Sequence, residues 1–438
     1  MPQESLYNLN PLAVLMGLGM LIALVPLLWV LWRNRHAHPM VRHRALALLV
    51  LFLTFDLVLF GAFTRLSDSG LGCPDWPGCY GNASPLGAVR QIELAQQALP
   101  SGPVTHGKAW VEMVHRYLAS GVGVLIIVLA LSAWRAGSST RTGLGDTTSI
   151  TSGIIPGITS SAGRLRTVAL LTLVWVCVQG AFGALTVTMK LFPAIVTLHL
   201  LGAMLLLVLL VLQMRMAGRL TPQTVNLAKM PDPAMPPAVQ GLAWLTMAML
   251  ALQIGLGGWV STNYAVLACQ DFPACQGSAW PAMNFAQGFE LWRPLGQTGQ
   301  GAAISFQALT AIHYTHRLMA VVVLALLLLL SWQLGRRLKA EGAAPSGATR
   351  ALAALALLQL ATGLGNVVLG WPLLAALLHT GGAAALVVVM TWILHSFYDA
   401  PSPETLSEMN ATDAKNHHFA MNVMTLNLNS GNGAKVSK

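Results

Sequence analysis

Charge is what this sequence lacks most. Asp, Glu, Lys and Arg make up 9% of its 438 residues, against 55% hydrophobic residues. A soluble chain carries about 25% charged residues, so a water-covered globular domain is excluded and a bilayer becomes the expected solvent. Dense basic runs with interleaved aromatics are also missing. A nucleic-acid partner is therefore not expected, despite the formal net charge of +10. Residues Met1 to Asn8 carry neither the basic start of a signal peptide nor an Arg-rich transit pattern. The apolar run from Asn10 to Trp32 is therefore expected to be a retained membrane helix. A bacterial inner (cytoplasmic) membrane fits best, because a mitochondrial address has no targeting support.

What is present is a series of long apolar runs. Nine spans can be drawn, at about 10–32, 44–65, 111–134, 167–188, 193–214, 238–261, 309–334, 350–370 and 372–395. Short breaks at Lys190 and at Gly370-Trp371-Pro372 predict two tight helical hairpins. One set of loops holds fifteen Lys and Arg residues, the opposite set five: Arg65, Arg90, Lys108, Lys190 and Arg293. The positive-inside rule makes the first set cytoplasmic, which puts the N-terminus in the periplasm and the C-terminus in the cytoplasm. The segment 137–163 is rich in Gly, Ser and Thr and reads as flexible. Residues 399–438, with His417 and His418, read as a disordered cytoplasmic tail.

Duplication organises the chain. Residues 73–79 read Cys-Pro-Asp-Trp-Pro-Gly-Cys and residues 269–275 read Cys-Gln-Asp-Phe-Pro-Ala-Cys. Each loop follows a span that ends at the outer face, and each precedes a span carrying a His-Arg pair, His115-Arg116 or His316-Arg317. His115 follows Cys73 by 42 residues and His316 follows Cys269 by 47. Each half then closes with a hairpin whose second helix carries one histidine, His199 after Pro193 and His379 after Pro372. The expected architecture is an all-α polytopic membrane protein of two parallel four-helix repeats plus one extra N-terminal helix. The repeats are 44–215 and 238–395, joined by a cytoplasmic linker at 216–237, and the extra helix is 10–32. Membrane proteins often place ligands within or between such repeats.

Each of His115, His199, His316 and His379 lies five to seven residues inside a helix that enters from the periplasmic side. At ~1.5 Å per residue, each sits roughly 8–10 Å below the outer surface. An unpaired imidazole in hydrocarbon is costly, so each needs a partner. One such histidine alone would be read as a hydrogen bond to a neighbouring helix. Four at one depth, two per repeat, read as axial ligands of two haems clamped between facing helices. Zinc fits less well, because no third or fourth ligand joins either pair. His313 competes with His316 on the same helix face, but Arg317 then matches Arg116 only if His316 matches His115. His36, His38, His43, His106 and His395 fall in loops or at helix ends, where solvated roles are the default.

Glu112 lies one turn before His115 and shares its face. A carboxylate there either moves protons beside a haem edge or forms an ion pair with Arg116, and both readings stand. Arg116 and Arg317 suit haem propionates through forked pairing, or make ordinary interhelical bonds. Cys73 with Cys79 and Cys269 with Cys275 fall in an oxidising compartment, where structural disulfides are the first reading and redox exchange the alternative. Neither motif has the Cys-His pattern of covalent haem attachment. Cys177, deep in the fourth span, reads as packing.

The residues at this point resemble haem A synthase over about 44–395. The marks are Gly-Ala-Phe-Thr-Arg (61–65), Ser-Gly-Leu-Gly-Cys-Pro-Asp-Trp-Pro-Gly-Cys-Tyr-Gly (69–81), Glu-Met-Val-His-Arg (112–116), Gly-Ala-Leu-Thr-Val (183–187), Leu-His-Leu (198–200), Thr-His-Arg (315–317) and Leu-His-Thr (378–380). The resemblance implies oxidation of the C8 methyl group of haem O to a formyl group, by successive hydroxylation and loss of water, to give haem A for terminal oxidases. It further implies that His115 and His199 hold substrate haem O, that His316 and His379 hold cofactor haem b, and that Glu112 is the essential acidic residue. Haem O synthase is then the expected substrate donor, and a homo-oligomer is compatible. The electron acceptor is not legible. A di-haem transmembrane b-type cytochrome would use the same ligands, but usually stacks its haems across the bilayer rather than at one depth. A haem carrier without turnover is the third reading. The extra helix 10–32, the 137–163 loop and the tail depart from the family pattern without touching the ligand set.

Overall fold

The computed structural model describes residues 10–142, 155–220, 235–340 and 346–397. The tail at 399–438 with His417 and His418, most of the linker and the centre of the 137–163 segment lie outside the described residues. Among the described residues no strand forms, and nine helices are long and apolar enough to cross a membrane. They are α1 (Leu12–Arg33), α2 (Pro39–Leu66), α4 (His106–Thr142), α5 (Ile155–Thr188), α6 (Pro193–Arg219), α7 (Pro237–Thr262), α9 (Phe306–Ala340), α10 (Gly347–Val368) and α11 (Leu373–Phe397). Two short helices, α3 (Val89–Ala98) and α8 (Phe285–Gly288), lie in the two long loops at one end of the bundle. The chain is a multi-pass, all-α membrane protein.

Several helices outrun the apolar runs that announce them. About 20 residues cross the hydrocarbon core, whereas α9 has 35. Once a helix is nucleated, each added residue costs little, so α4 continues through Ser138 and Ser139 into the segment read as flexible. Starts follow local rules. Pro39, Pro193 and Pro237 open their helices, where the missing N–H is harmless. The Ser346 hydroxyl accepts from Thr349 N at 3.2 Å to cap α10. Both hairpins turn on paired left-handed residues, Lys190 and Leu191 in one, Gly370 and Trp371 in the other.

Helices α2, α4, α5 and α6 pack in a closed ring, each touching the next. Helices α7, α9, α10 and α11 do the same, and the rings meet where α6 touches α7 and α11, and where α2 touches α11. The seam is filled by Leu207, Leu210, Leu250, Val387 and Met390, all buried. At the loop end, Arg65 donates to Ser261 O at 2.5 Å and the Tyr264 hydroxyl donates to Asp68 at 2.7 Å, tying α2 to the end of α7. Helix α1 stands outside the first ring against α4. Gly19 makes this possible, since a Cβ there would lie 2.7 Å from Ser120 Cβ.

Candidate functional site

A cavity of about 1220 Å³ opens inside the bundle. His115 on α4, His199 on α6, His316 on α9 and His379 on α11 all line it, together with Glu112, Arg116, His313 and Arg317. Each imidazole is seated the same way, with its Cε1 edge against a glycine of the preceding long helix. A Cβ on Gly61 would lie 3.0 Å from His115, on Gly183 3.7 Å from His199, on Gly257 3.0 Å from His316, and on Gly363 3.2 Å from His379. The glycines open notches that let the helices close on the rings.

The rings of His316 and His379 have centroids 6.5 Å apart and planes at 80°. Two metal–nitrogen bonds of about 2.0 Å, plus the ring radii, span nearly that distance. His115 stacks parallel to Phe60, with centroids 6.1 Å apart. Nδ1 of His115 and Nδ1 of His199 are buried without a partner. Among the described residues no cluster of three or more His, Cys, Asp or Glu could hold a metal by itself. Paired imidazoles around an apolar space therefore fit a metal that brings its own equatorial nitrogens, as a haem does.

Two disulfides, Cys73–Cys79 and Cys269–Cys275, close the loops beside the cavity. Asp75 accepts from Tyr80 N and Gly81 N at 2.6 and 2.8 Å, and Asp271 accepts from Gln276 N and Gly277 N at 2.7 and 2.8 Å. These backbone donors, Gly277 first, hold the Asp271 carboxyl below its ordinary range. Arg116 donates to Asp75 O at 3.0 Å, Pro77 O at 3.1 Å and Gly78 O, and Arg317 donates to Asp271 O at 2.8 Å, Ala274 O at 3.1 Å and Cys269 O at 2.6 Å. Both guanidinium groups thus bind loop carbonyls at the cavity edge. Glu112 is buried, accepting from Arg116 at 2.5 Å and from Cys73 N at 2.8 Å. The ion pair foreseen from the sequence is present, and Glu112 still borders the cavity. His313 takes the corresponding place in the second ring and accepts from Arg317 Nε at 3.3 Å.

Two sequence readings need correction. His43 is not solvated at a helix end. Helix α2 starts at Pro39, so His43 turns inward against α4, is 1% exposed, and bonds Ser132 at 2.6 Å. Cys177 is exposed rather than packed, because a span apolar all round does not say which side faces its neighbours.

Several residues escaped the sequence reading. Gln359 donates to His379 O at 2.9 Å, whereas Gln179, which like Gln359 precedes its histidine by 20 residues, has neither amide atom paired. Gln253 and Thr362 contact His316 and His379. Identical spacing to the histidines was the signal for the Gln179 and Gln359 pair. Asp56 in mid-α2 belongs to none of these groups. It stands exposed beside an apolar groove of about 510 Å³ lined by Phe55, Leu59 and Leu378.

The COX15-CtaA family of cytochrome oxidase assembly proteins matches residues 44–391, a stretch that contains all four cavity histidines, Glu112 and both disulfides. A haem A synthase of Shewanella oneidensis is 34% identical over 350 residues, covering 79% of this chain and 93% of that protein. The chain belongs to the haem A synthase family. Haem A synthases of Halalkalibacterium halodurans and Rhizorhabdus wittichii are 24% and 28% identical over 80% and 82% of the chain. Membership makes this chain an enzyme of haem biosynthesis, and the match leaves α1 outside the family's common part.

Proposed function

We propose that this enzyme oxidises the C8 methyl group of haem O to the formyl group of haem A. In this reading His115 and His199 hold haem O as substrate, and His316 and His379 hold a resident haem b. One observation carries the division of labour. The two rings present paired imidazoles to one cavity, but only the first sets a carboxylate beside them, and His313 occupies that place in the second. The cavity exceeds the ~300–1,000 Å³ usual for a single ligand, which supports two large flat guests.

A resident haem supplies one-electron chemistry when bound. The protein's own contribution is binding, orientation and proton handling. Glu112, the carboxylate bordering the cavity in the first ring, is the group that would take up or hand on a proton. Its bonds to Arg116 and to Cys73 N aim the carboxylate, and the apolar wall keeps bulk water out. The disulfide loops, pinned by Arg116 and Arg317, cover each ring at its outer end. We read the two rings as parallel copies in a bacterial inner membrane, with the N-terminus periplasmic, the C-terminus cytoplasmic, and haem O synthase as substrate donor.

Haem extraction and mass spectrometry after co-expression with a haem O source test this reading. Haem A alongside haem b is expected from the wild type. Haem b alone, unchanged by co-expression, would sink it in favour of an electron-carrying cytochrome. Glu112→Ala should keep both haems and lose conversion by roughly 10²–10⁴-fold. Full conversion in that variant rejects the role of Glu112.

A further inference from the structure

The two rings differ in what stands behind their imidazoles. The Thr362 hydroxyl lies 3.0 Å from His379 Nδ1 and 2.7 Å from Leu358 O. Its proton is committed to that carbonyl, so toward the imidazole it accepts. An acceptor at Nδ1 requires Nδ1–H, which leaves the Nε2 lone pair free for a metal. The Gln253 amide nitrogen lies 3.1 Å from His316 Nδ1 and donates to His316 O at 3.2 Å, which ties this ring and its helix turn to α7.

The first ring has no such groups. Cys73 and Cys269 are 196 residues apart, as are Gly61 and Gly257, and that offset pairs Gln253 with Leu57. His199 and His379 are 180 apart, as are Gly183 and Gly363, and that offset pairs Thr362 with Phe182. Leucine and phenylalanine offer no acceptor, and His115 Nδ1 and His199 Nδ1 are unpartnered. A hydrogen bond at the distal nitrogen fixes the tautomer, fixes ring orientation and raises ligand basicity.

We propose that Thr362 and Gln253 are positioning residues that lock His379 and His316 as strong, permanent haem ligands, while their absence behind His115 and His199 keeps the first ring's haem exchangeable. The inference rests on the reading that the second ring holds the resident haem and the first a haem that must enter and leave. A more basic imidazole favours the oxidised metal, so Thr362 also holds the resident haem's midpoint potential down.

The test uses the full-length holoprotein carrying its resident haem. Haem loss to excess apomyoglobin and the midpoint potential by spectroelectrochemistry are measured for wild type, Thr362→Val, Thr362→Ser and Gln253→Leu. Thr362→Val should release haem roughly 10- to 100-fold more readily and shift the potential upward, and Thr362→Ser should restore both. Gln253→Leu should also release haem more readily. Haem-free Thr362→Val beside haem-loaded Thr362→Ser counts with the expected result. Wild-type retention and potential in both Thr362→Val and Gln253→Leu overturn the inference. If His316→Ala and His379→Ala each leave the resident spectrum intact, the ligand assignment itself falls, a failure separable from that of its partners.

Discussion

The four glycine notches predict a graded series with a change of sign. Apolar carbons meet at about 3.5–4.0 Å. A methyl at Gly61 would stand 3.0 Å from His115 Cε1, so the ring or the helix must give by about half an ångström or more. Overpacking of this kind costs about 1–3 kcal/mol, roughly 5- to 150-fold in affinity for a ligand that needs the ring in place. A methyl at Gly183 would stand 3.7 Å from His199 Cε1, an ordinary contact. Alanine there also gains about 0.5–1 kcal/mol of helix preference. Gly61→Ala should therefore lower haem occupancy of the first ring, while Gly183→Ala leaves it intact and raises thermal stability. In the second ring Gly257→Ala, at 3.0 Å, should harm more than Gly363→Ala, at 3.2 Å. The assay is haem per chain by pyridine haemochrome, with extracted haems separated by mass to assign each ring. Equal losses for Gly61→Ala and Gly183→Ala would refute the notch argument, because the clearance at Gly61 is 0.7 Å smaller than at Gly183 (3.0 against 3.7 Å).

Two further outcomes follow from the packing outside the cavity. Gly19→Leu should prise α1 from α4, because even a Cβ at that position lies 2.7 Å from Ser120 Cβ. Protease sensitivity of the first 35 or so residues should rise while the resident haem of the second ring stays bound; unchanged protection would show that α1 is not held by this contact. At the loop end of the seam, burial alone would raise the Asp68 carboxyl. Hydrogen bonds from Tyr264 and Lys108, with the charges of Lys108 and Arg65, outweigh it and hold the carboxyl below its ordinary value. A depressed carboxyl stabilises the fold above its unfolded value and loses that contribution as pH falls through its folded one. The melting temperatures of wild type and Asp68→Asn should thus differ at neutral pH and converge toward about pH 3. A gap that widens on acidification contradicts the assignment.

The grouping of the histidines was legible in the sequence and the direction of side chains was not. Counting residues from the start of each span singles out His115, His199, His316 and His379, and the structure gathers all four on one cavity. Hydropathy marks a crossing because the bilayer demands about 20 apolar residues, and both hairpins announce themselves at Lys190 and at Gly370-Trp371. Rotation about the helix axis is another matter. Spans that are apolar all round carry no preferred face, so the exposure of Cys177 and the inward turn of His43 depend on which helices are neighbours. Gln253 lies 63 residues from His316 and makes its contact only because α7 packs on α9. Nothing local in the chain announces that contact.

On the proposed reading, two four-helix rings explain how one chain can both keep a haem and process one. The two four-helix rings offer matching glycine notches and matching disulfide loops, so either would be expected to bind a flat macrocycle. Function then depends on the positions where the copies disagree. Glu112 opposite His313 puts a carboxylate in one ring and an imidazole bonded to Arg317 in the other. Gln253 and Thr362 opposite Leu57 and Phe182 put polar partners behind one pair of imidazoles and apolar side chains behind the other. A substrate ring gains from a carboxylate and from loose ligands; a cofactor ring gains from tight ligands and from having no competing acid. Both differences point the same way, although they involve different helices and different chemistry. Exchanging Glu112 and His313 should consequently fail to exchange the roles of the rings, because ligand strength would stay where Gln253 and Thr362 put it.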